Sequence, residues 1–169
     1  WTDTWFAGYG KILNVAACPS SEVQIQVYPR DPGRERCVIH AENYGQCYAW
    51  DPASTAWDRH HLIEAAIQSA GIPDDMAVHV SLYSGVPAGA STGTSASLGV
   101  ALIGALDRLS HRRRAPHEVA YAAHHVETGI LGQQSGIQDQ LCAAYGGINY
   151  IEILRYPEAT VSQLSLPDP

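Results

Sequence analysis

The sequence predicts an α+β fold, a mixed α/β domain in which strands and helices follow one another irregularly. Three observations carry that expectation. Residues 22–28 and 77–83 alternate apolar and polar side chains (Val23, Ile25, Val27; Val78, Val80, Leu82), the period of a half-buried strand. Leu62, Ile63, Ala66 and Ile67, and then Leu98, Leu102, Ile103, Leu106 and Leu109, recur at the spacing of one helix face. The order of these patterns breaks strict strand–helix–strand alternation.

Taken in order, residues 11–18 (K-I-L-N-V-A-A-C) form a near-continuous apolar run, as expected of a buried strand. The alternating strand 22–28 leads into a turn at Pro29, Asp31, Pro32 and Gly33, and residues 36–41 return as its partner. Residues 43–57 are aromatic and irregular (Tyr44, Tyr48, Trp50, Trp57) and carry no motif. A helix runs from about Asp58 to Ala70 and ends at Gly71 and Pro73. His60 and His61 face different directions in its first turn and read as surface or capping residues, not joint metal ligands.

After the strand at 77–83, a loop opens a helix over 95–110. Pro116 starts the next helix, to about Thr128, with Val119, Ala123 and Val126 on one face. His124 and His125 read as packing or surface residues. Gly129, Gly132 and Gly136 loosen the chain before a short helix from Ser135 or Gly136 to Tyr145, stopped by Gly146 and Gly147. Residues 148–154 read as a strand and 160–166 as a weaker one.

The chain has 169 residues, enough for one domain that buries about 70% of its unfolded surface. A net charge of −7 argues against non-specific nucleic-acid binding, which needs clustered cations. Lys11 is the only lysine, and the run Arg112, Arg113, Arg114 reads as a solvated loop. The four cysteines (Cys18, Cys37, Cys47, Cys142) show no zinc spacing. Cys18 and Cys142 read as reduced core residues, which suits a cytoplasmic setting. No apolar run approaches the ~18 residues of a membrane span.

The stretch 85–99 (G-V-P-A-G-A-S-T-G-T-S-A-S-L-G) mixes glycines with hydroxyls and holds no acidic residue. A glycine-rich loop opening a helix aims unpaired N–H groups and the positive end of the helix dipole at one point. Its natural guest is a phosphate.

That stretch resembles the phosphate-binding loop of the GHMP kinases, P-x-G-x-G-L-G-S-S-A, here P-A-G-A-S-T-G-T-S-A from Pro87 to Ala96. Ser91, Thr92 and Thr94 stand where the family has glycine, leucine and serine. Residues 118–150 resemble the segment of sugar and sugar-phosphate members that closes with G-G-x-Q-D-Q and G-G-x-N, and W-T-D-T at the start resembles the tail of G-G-x-T-D. The G-I-Q-D-Q and W-T-D-T stretches look more like the heptose-phosphate, fucose and galactose branches than the mevalonate branch.

The resemblance implies the ribosomal protein S5 domain 2-like fold of the family's N-terminal domain. It implies that residues 1–169 are that ATP-binding domain, lacking its first strand, with the C-terminal GHMP domain outside the chain. The chain begins with Trp1 inside a motif, so any targeting signal would lie upstream. The implied activity is transfer of the γ-phosphate of ATP to a hydroxyl of a sugar or sugar phosphate, a small-molecule substrate, with magnesium. Pro87, Gly89, Ser91, Thr92, Gly93, Thr94, Ser95, Ala96 and Ser97 would cradle the nucleotide's phosphates. Ser95 and Glu127 would be the magnesium ligands, Asp139 the carboxylate at the acceptor hydroxyl, and Asp3 a partner of sugar hydroxyls. The chain alone would have weak activity or none.

Two rivals remain at this level. Gly89–Gly93 also matches G-x-S-x-G, the serine-hydrolase elbow, but Pro87 separates Ser91 from its strand and the last histidine, His125, precedes Asp139. A catalytically inactive sugar- and ATP-binding sensor would accommodate the three loop substitutions. The presence of both Glu127 and Asp139 favours the kinase.

Overall fold

The computed structural model describes residues 8–54, 56–86, 92–110 and 113–166. The alternating segments become strands of two sheets. The first sheet has the order β2-β5-β3-β4, from β2 (Ser21–Pro29), β3 (Cys37–Ala41), β4 (Gln46–Trp50) and β5 (Met76–Ser84). The second has the order β1-β6-β7, from β1 (Gly10–Val15), β6 (Ile148–Arg155) and β7 (Glu158–Leu164). Four helices complete the fold: α1 (His61–Ala70), α2 (Thr94–Leu106), α3 (Pro116–His125) and α4 (Gln138–Tyr145). This is the mixed α/β class that the sequence predicts.

Two apolar clusters hold the layers. Ile63 and Ile67 of α1, Val100 and Ile103 of α2 and Val119 of α3 pack with Ile39, Trp50 and Val80 of the four-stranded sheet. Ala120 of α3 and Leu141 of α4 pack with Ile151 and Ile153 of the three-stranded one. Among the described residues no helix is long and apolar enough to cross a membrane.

The structure corrects several expectations. Residues 36–41 do not pair with the strand before them. β5 occupies that place, antiparallel to β2 along its whole length and parallel to β3. β5, with Ala77, Val78, Val80 and Leu82 buried, and β3, with Cys37, Ile39 and Ala41 buried, are the two interior strands, and β2 and β4 are the edges. The segment written off as irregular contains β4, which pairs with β3 and turns Tyr48 and Trp50 into the core. β1 is an edge strand, not a buried one, and its Leu13 and Val15 are 65% and 61% exposed. Cys18 lies beyond that strand and is exposed, Cys142 is half-buried, and Cys37 is the buried thiol. Helix α2 stops at Leu106, short of residue 110.

Helix α1 starts at His61, three residues after the expected Asp58, for a local reason. Glu64 in its first turn is fully buried, and its carboxylate gathers the segment before the helix. Oε2 accepts the Asp58 N–H at 2.8 Å; Oε1 accepts the Arg59 and His60 N–H groups at 3.3 and 3.2 Å and the Tyr48 hydroxyl at 2.8 Å. Residues 58–60 wrap around this acceptor instead of continuing the helix. A Glu64→Ala change would leave the buried Tyr48 hydroxyl without its acceptor and free the half-buried N–H groups of residues 58–60, so it should cost about 1–3 kcal/mol in urea unfolding.

Candidate active site

The site forms where β5 hands the chain to α2. Asn43 clasps the end of β5 through two bonds of 2.7 Å, donating to the Ser84 carbonyl and accepting the Ser84 N–H. Gly85 lies on Pro19 so tightly that a Cβ would come within 2.6 Å of its ring. Of the loop residues expected at phosphate, Pro87, Gly89 and Ser91 lie outside the described residues, as does Asp3.

Gly93 turns the chain into α2 with φ +71, in the left-handed region that favours glycine. No acidic residue stands in the first turn of α2 and no side chain caps it. The first bond within the helix runs from the Ser97 N–H to the Gly93 carbonyl at 2.9 Å. The N–H groups of Thr94, Ser95 and Ala96 therefore have no helical acceptor, and the dipole's positive end adds to them.

Asp139 meets this helix end. It stands in the first turn of α4, and a Cβ on Gly93 would lie 3.3 Å from its Cγ. Clefts of about 620 and 700 Å³ open here, and both are lined by Thr92, Gly93, Thr94 and Asp139. The first also takes in Tyr44, Arg59, His60, Ser95 and Gly136; the second takes in Asn14, Ser20, Ser21, Ser84 and Gln138. Asp139 opens to solvent through the clefts, yet the protein walled around it raises its carboxyl above the ordinary value.

Glu127 sits behind the cleft wall. It is 4% exposed, and it belongs to a single π turn (Val126–Ile130) that follows α3, closed by the Leu131 N–H on the Val126 carbonyl at 3.0 Å. Such turns re-aim a side chain and recur at functional sites. Glu127 Oε2 accepts Gln140 Nε2–H at 3.0 Å, whereas buried Oε1 has no partner. Burial pushes the Glu127 carboxyl up, hydrogen bonds from Ser135 and Gln140 oppose this, and the nearby Asp139 charge adds to the rise.

Helices α2 and α3 run antiparallel, with Gly99 facing Ala123 and Gly104 facing Val119. Ser95 precedes Gly99 by one turn and Glu127 follows Ala123 by one turn, so both lie toward the same end of the helix pair. An exposed hydroxyl and a buried carboxylate oxygen without a partner are hard donors that fit a magnesium ion. No group of three His, Cys, Asp or Glu side chains able to hold a metal occurs among the described residues.

Residues 57–147, more than half of the chain, match the family described as the GHMP kinases N terminal domain. The chain belongs to the GHMP kinase family. It is 46% identical over 70 residues to the mevalonate kinase of Methanothermobacter thermautotrophicus, a match covering 41% of this chain and 23% of that protein. It is 33% identical over 84 residues to the D-glycero-alpha-D-manno-heptose 7-phosphate kinase of Campylobacter jejuni, covering 50% and 25%. The crystal structure of a D-glycero-D-manno-heptose 1-phosphate kinase from Bacteriodes thetaiotaomicron superposes with a TM-score of 0.78 at 25% identity, over 94% of this chain and 52% of that one. The matched regions thus span about a quarter of the curated relatives and half of the solved structure.

Within this GHMP domain the structure brings together Thr92, Gly93, Thr94, Ser95 and Asp139 around the clefts, with Glu127 behind them. Two loop residues sit differently from the others. Ala96 is buried, and the Ser97 hydroxyl is engaged with Ser21 Oγ at 2.7 Å and the Thr94 carbonyl at 3.0 Å. Ser135, Tyr156 and Arg59 contribute to or support the site without any sequence signal, whereas Gln140 was visible within the Q-D-Q run.

Two outcomes test this geometry. Gly93→Ala forces a Cβ into the left-handed region and against Asp139, so urea unfolding should show a loss of about 1–2 kcal/mol. Glu127→Gln should raise Tm at neutral pH. A carboxyl raised on folding favours the fold below its unfolded pKa and loses that contribution as pH rises through the folded value. The gain should therefore shrink as the pH is lowered below the ordinary glutamate range.

Proposed function

We propose that this chain is the N-terminal, ATP-binding half of a magnesium-dependent kinase that phosphorylates a hydroxyl of a sugar or sugar phosphate. The observation that carries the reading is the meeting of the uncapped α2 N-terminus with the Asp139 carboxylate between two clefts. Both clefts reach that junction, so a phosphate donor and an alcohol can meet there, as phosphoryl transfer requires.

Gly93 and the N–H groups of Thr94, Ser95 and Ala96 hold the terminal phosphates of ATP. The acceptor oxygen attacks the γ-phosphorus, the bond to the bridging β–γ oxygen breaks, and ADP leaves. Asp139 accepts the proton of the attacking hydroxyl. Its raised pKa suits that role, because a stronger base at neutral pH takes the proton more readily. Ser95 and Glu127 would hold magnesium, which when bound neutralises charge that builds on the phosphate oxygens. Asp3 would contact sugar hydroxyls.

The amides and hydroxyls of Asn14, Ser20, Ser21, Ser84 and Gln138 in the larger cleft suit a polyhydroxylated acceptor. A second acceptor class, an alcohol such as mevalonate, is favoured by the 46% identity to an archaeal mevalonate kinase. A binding-only sensor would have no need of Asp139 held against the phosphate site.

The test is ADP release from magnesium-ATP by the full-length protein with galactose, heptose phosphates and mevalonate as acceptors. One acceptor should stimulate release, and Asp139→Asn should lower it about 10²–10⁴-fold. ATP binding without stimulation by any acceptor would overturn the kinase reading.

A further inference from the structure

Behind the cleft, a buried polar chain ties three segments together. His124 lies on α3 one turn before Glu127 and is 4% exposed. Its Nε2 is 2.6 Å from the Tyr156 hydroxyl, which is 2.7 Å from the Ser135 carbonyl oxygen. The carbonyl only accepts, so the Tyr156 O–H donates to Ser135, and His124 Nε2–H donates to the Tyr156 oxygen. His124 Nε2 also lies 3.2 Å from the Ser135 carbonyl. The His124 carbonyl accepts the Thr128 hydroxyl at 2.9 Å, inside the π turn that carries Glu127.

Ser135 connects this chain to the site. Its hydroxyl donates to the Gly136 carbonyl at 3.2 Å and lies 3.5 Å from Gln140 Nε2, the group that donates to Glu127 Oε2. Residues 131–137 have no regular backbone pairing of their own, and Gly132 within them has φ +66. The segment is therefore placed by a few bonds: the Gln133 N–H on the Glu127 carbonyl at 2.8 Å and the His124–Tyr156 pair on Ser135. Tyr156 follows β6, so the pair anchors the cleft wall to the three-stranded sheet.

We infer that His124 and Tyr156 are positioning residues that fix Ser135, and through Ser135 and Gln140 hold the Glu127 carboxylate in the orientation its cation needs. The inference rests on the reading of Glu127 as a magnesium ligand. Groups that orient a metal ligand typically change affinity 10–100-fold when removed.

The test is direct: Mn²⁺ binding to this chain with a non-hydrolysable ATP analogue, followed by electron paramagnetic resonance. Tyr156→Phe and His124→Leu should each weaken Mn²⁺ binding roughly 10–100-fold while circular dichroism stays that of the wild type. His124→Gln, whose amide offers a donor where Nε2–H was, should bind within about threefold of wild type. Glu127→Gln runs alongside. If Glu127→Gln weakens binding while Tyr156→Phe and His124→Leu bind as wild type, the positioning role is overturned and the ligand reading stands. If Glu127→Gln itself binds as wild type, the ligand reading fails, and the inference fails with it.

Discussion

The candidate site depends on how closely α2 can approach α3. Gly99 and Gly104 present no side chain to α3, and Ala123 and Val119 sit directly over them. A Cβ at either position would only touch its neighbour, at 3.8 and 3.9 Å, but side chains longer than alanine would push the helices apart. In the proposed reading, the spacing of this helix pair sets whether the Ser95 hydroxyl and the Glu127 carboxylate can share an ion. Dense packing makes such spacing a property of the whole layer, not of two side chains.

The second constraint is electrostatic, and it works against stability. Glu127 and Asp139 are both raised, chiefly by burial, and each unfavourable charge is kept near the other. Glu127 is buried, whereas Asp139 faces the clefts; a core built for stability alone would not hold Glu127. The uncapped end of α2 and the carboxylate oxygen without a partner are complementary deficits, one short of negative charge and one short of positive. In the proposed reading a magnesium–nucleotide complex supplies both at once. Glu127 Oε1 is one of seven buried side-chain polar atoms without a partner among the described residues, and it is the one carboxylate oxygen among them.

Much of this was legible in the sequence, and the failures have physical causes. The helices were readable because their apolar residues recur on one face over several turns. The phosphate loop and the Q-D-Q run were readable because backbone geometry and carboxylate chemistry both demand particular residue types at fixed spacing. Strand pairing was not, since β3 and β5 meet across forty residues and local alternation does not specify a partner. β4 was missed because its buried Tyr48 and Trp50 sit among exposed aromatics such as Tyr44 that look alike in sequence. The late start of α1 was hidden because Glu64 reads as an ordinary helix residue until its fold partners surround it. Tyr156 was invisible for the same reason: its role comes from reaching Ser135 across 21 positions of sequence.

The same contrast explains why the acceptor is harder to read than the reaction. The family match covers residues 57–147, which include α1, the loop, α2, α3 and α4, and so contain the parts that handle phosphate and protons. The remaining walls of the clefts come from elsewhere, from Asn14 to Ser21 on one side and Tyr44 on the other. In the proposed reading, phosphate is held largely by backbone N–H groups, which depend less on side-chain identity than on the chain's turn. An alcohol is selected by side chains, since a buried donor or acceptor left unpaired by the wrong substrate costs far more than a poor apolar fit. Similarity concentrated in 57–147 therefore supports the proposed phosphoryl transfer more than any choice between a sugar phosphate and mevalonate.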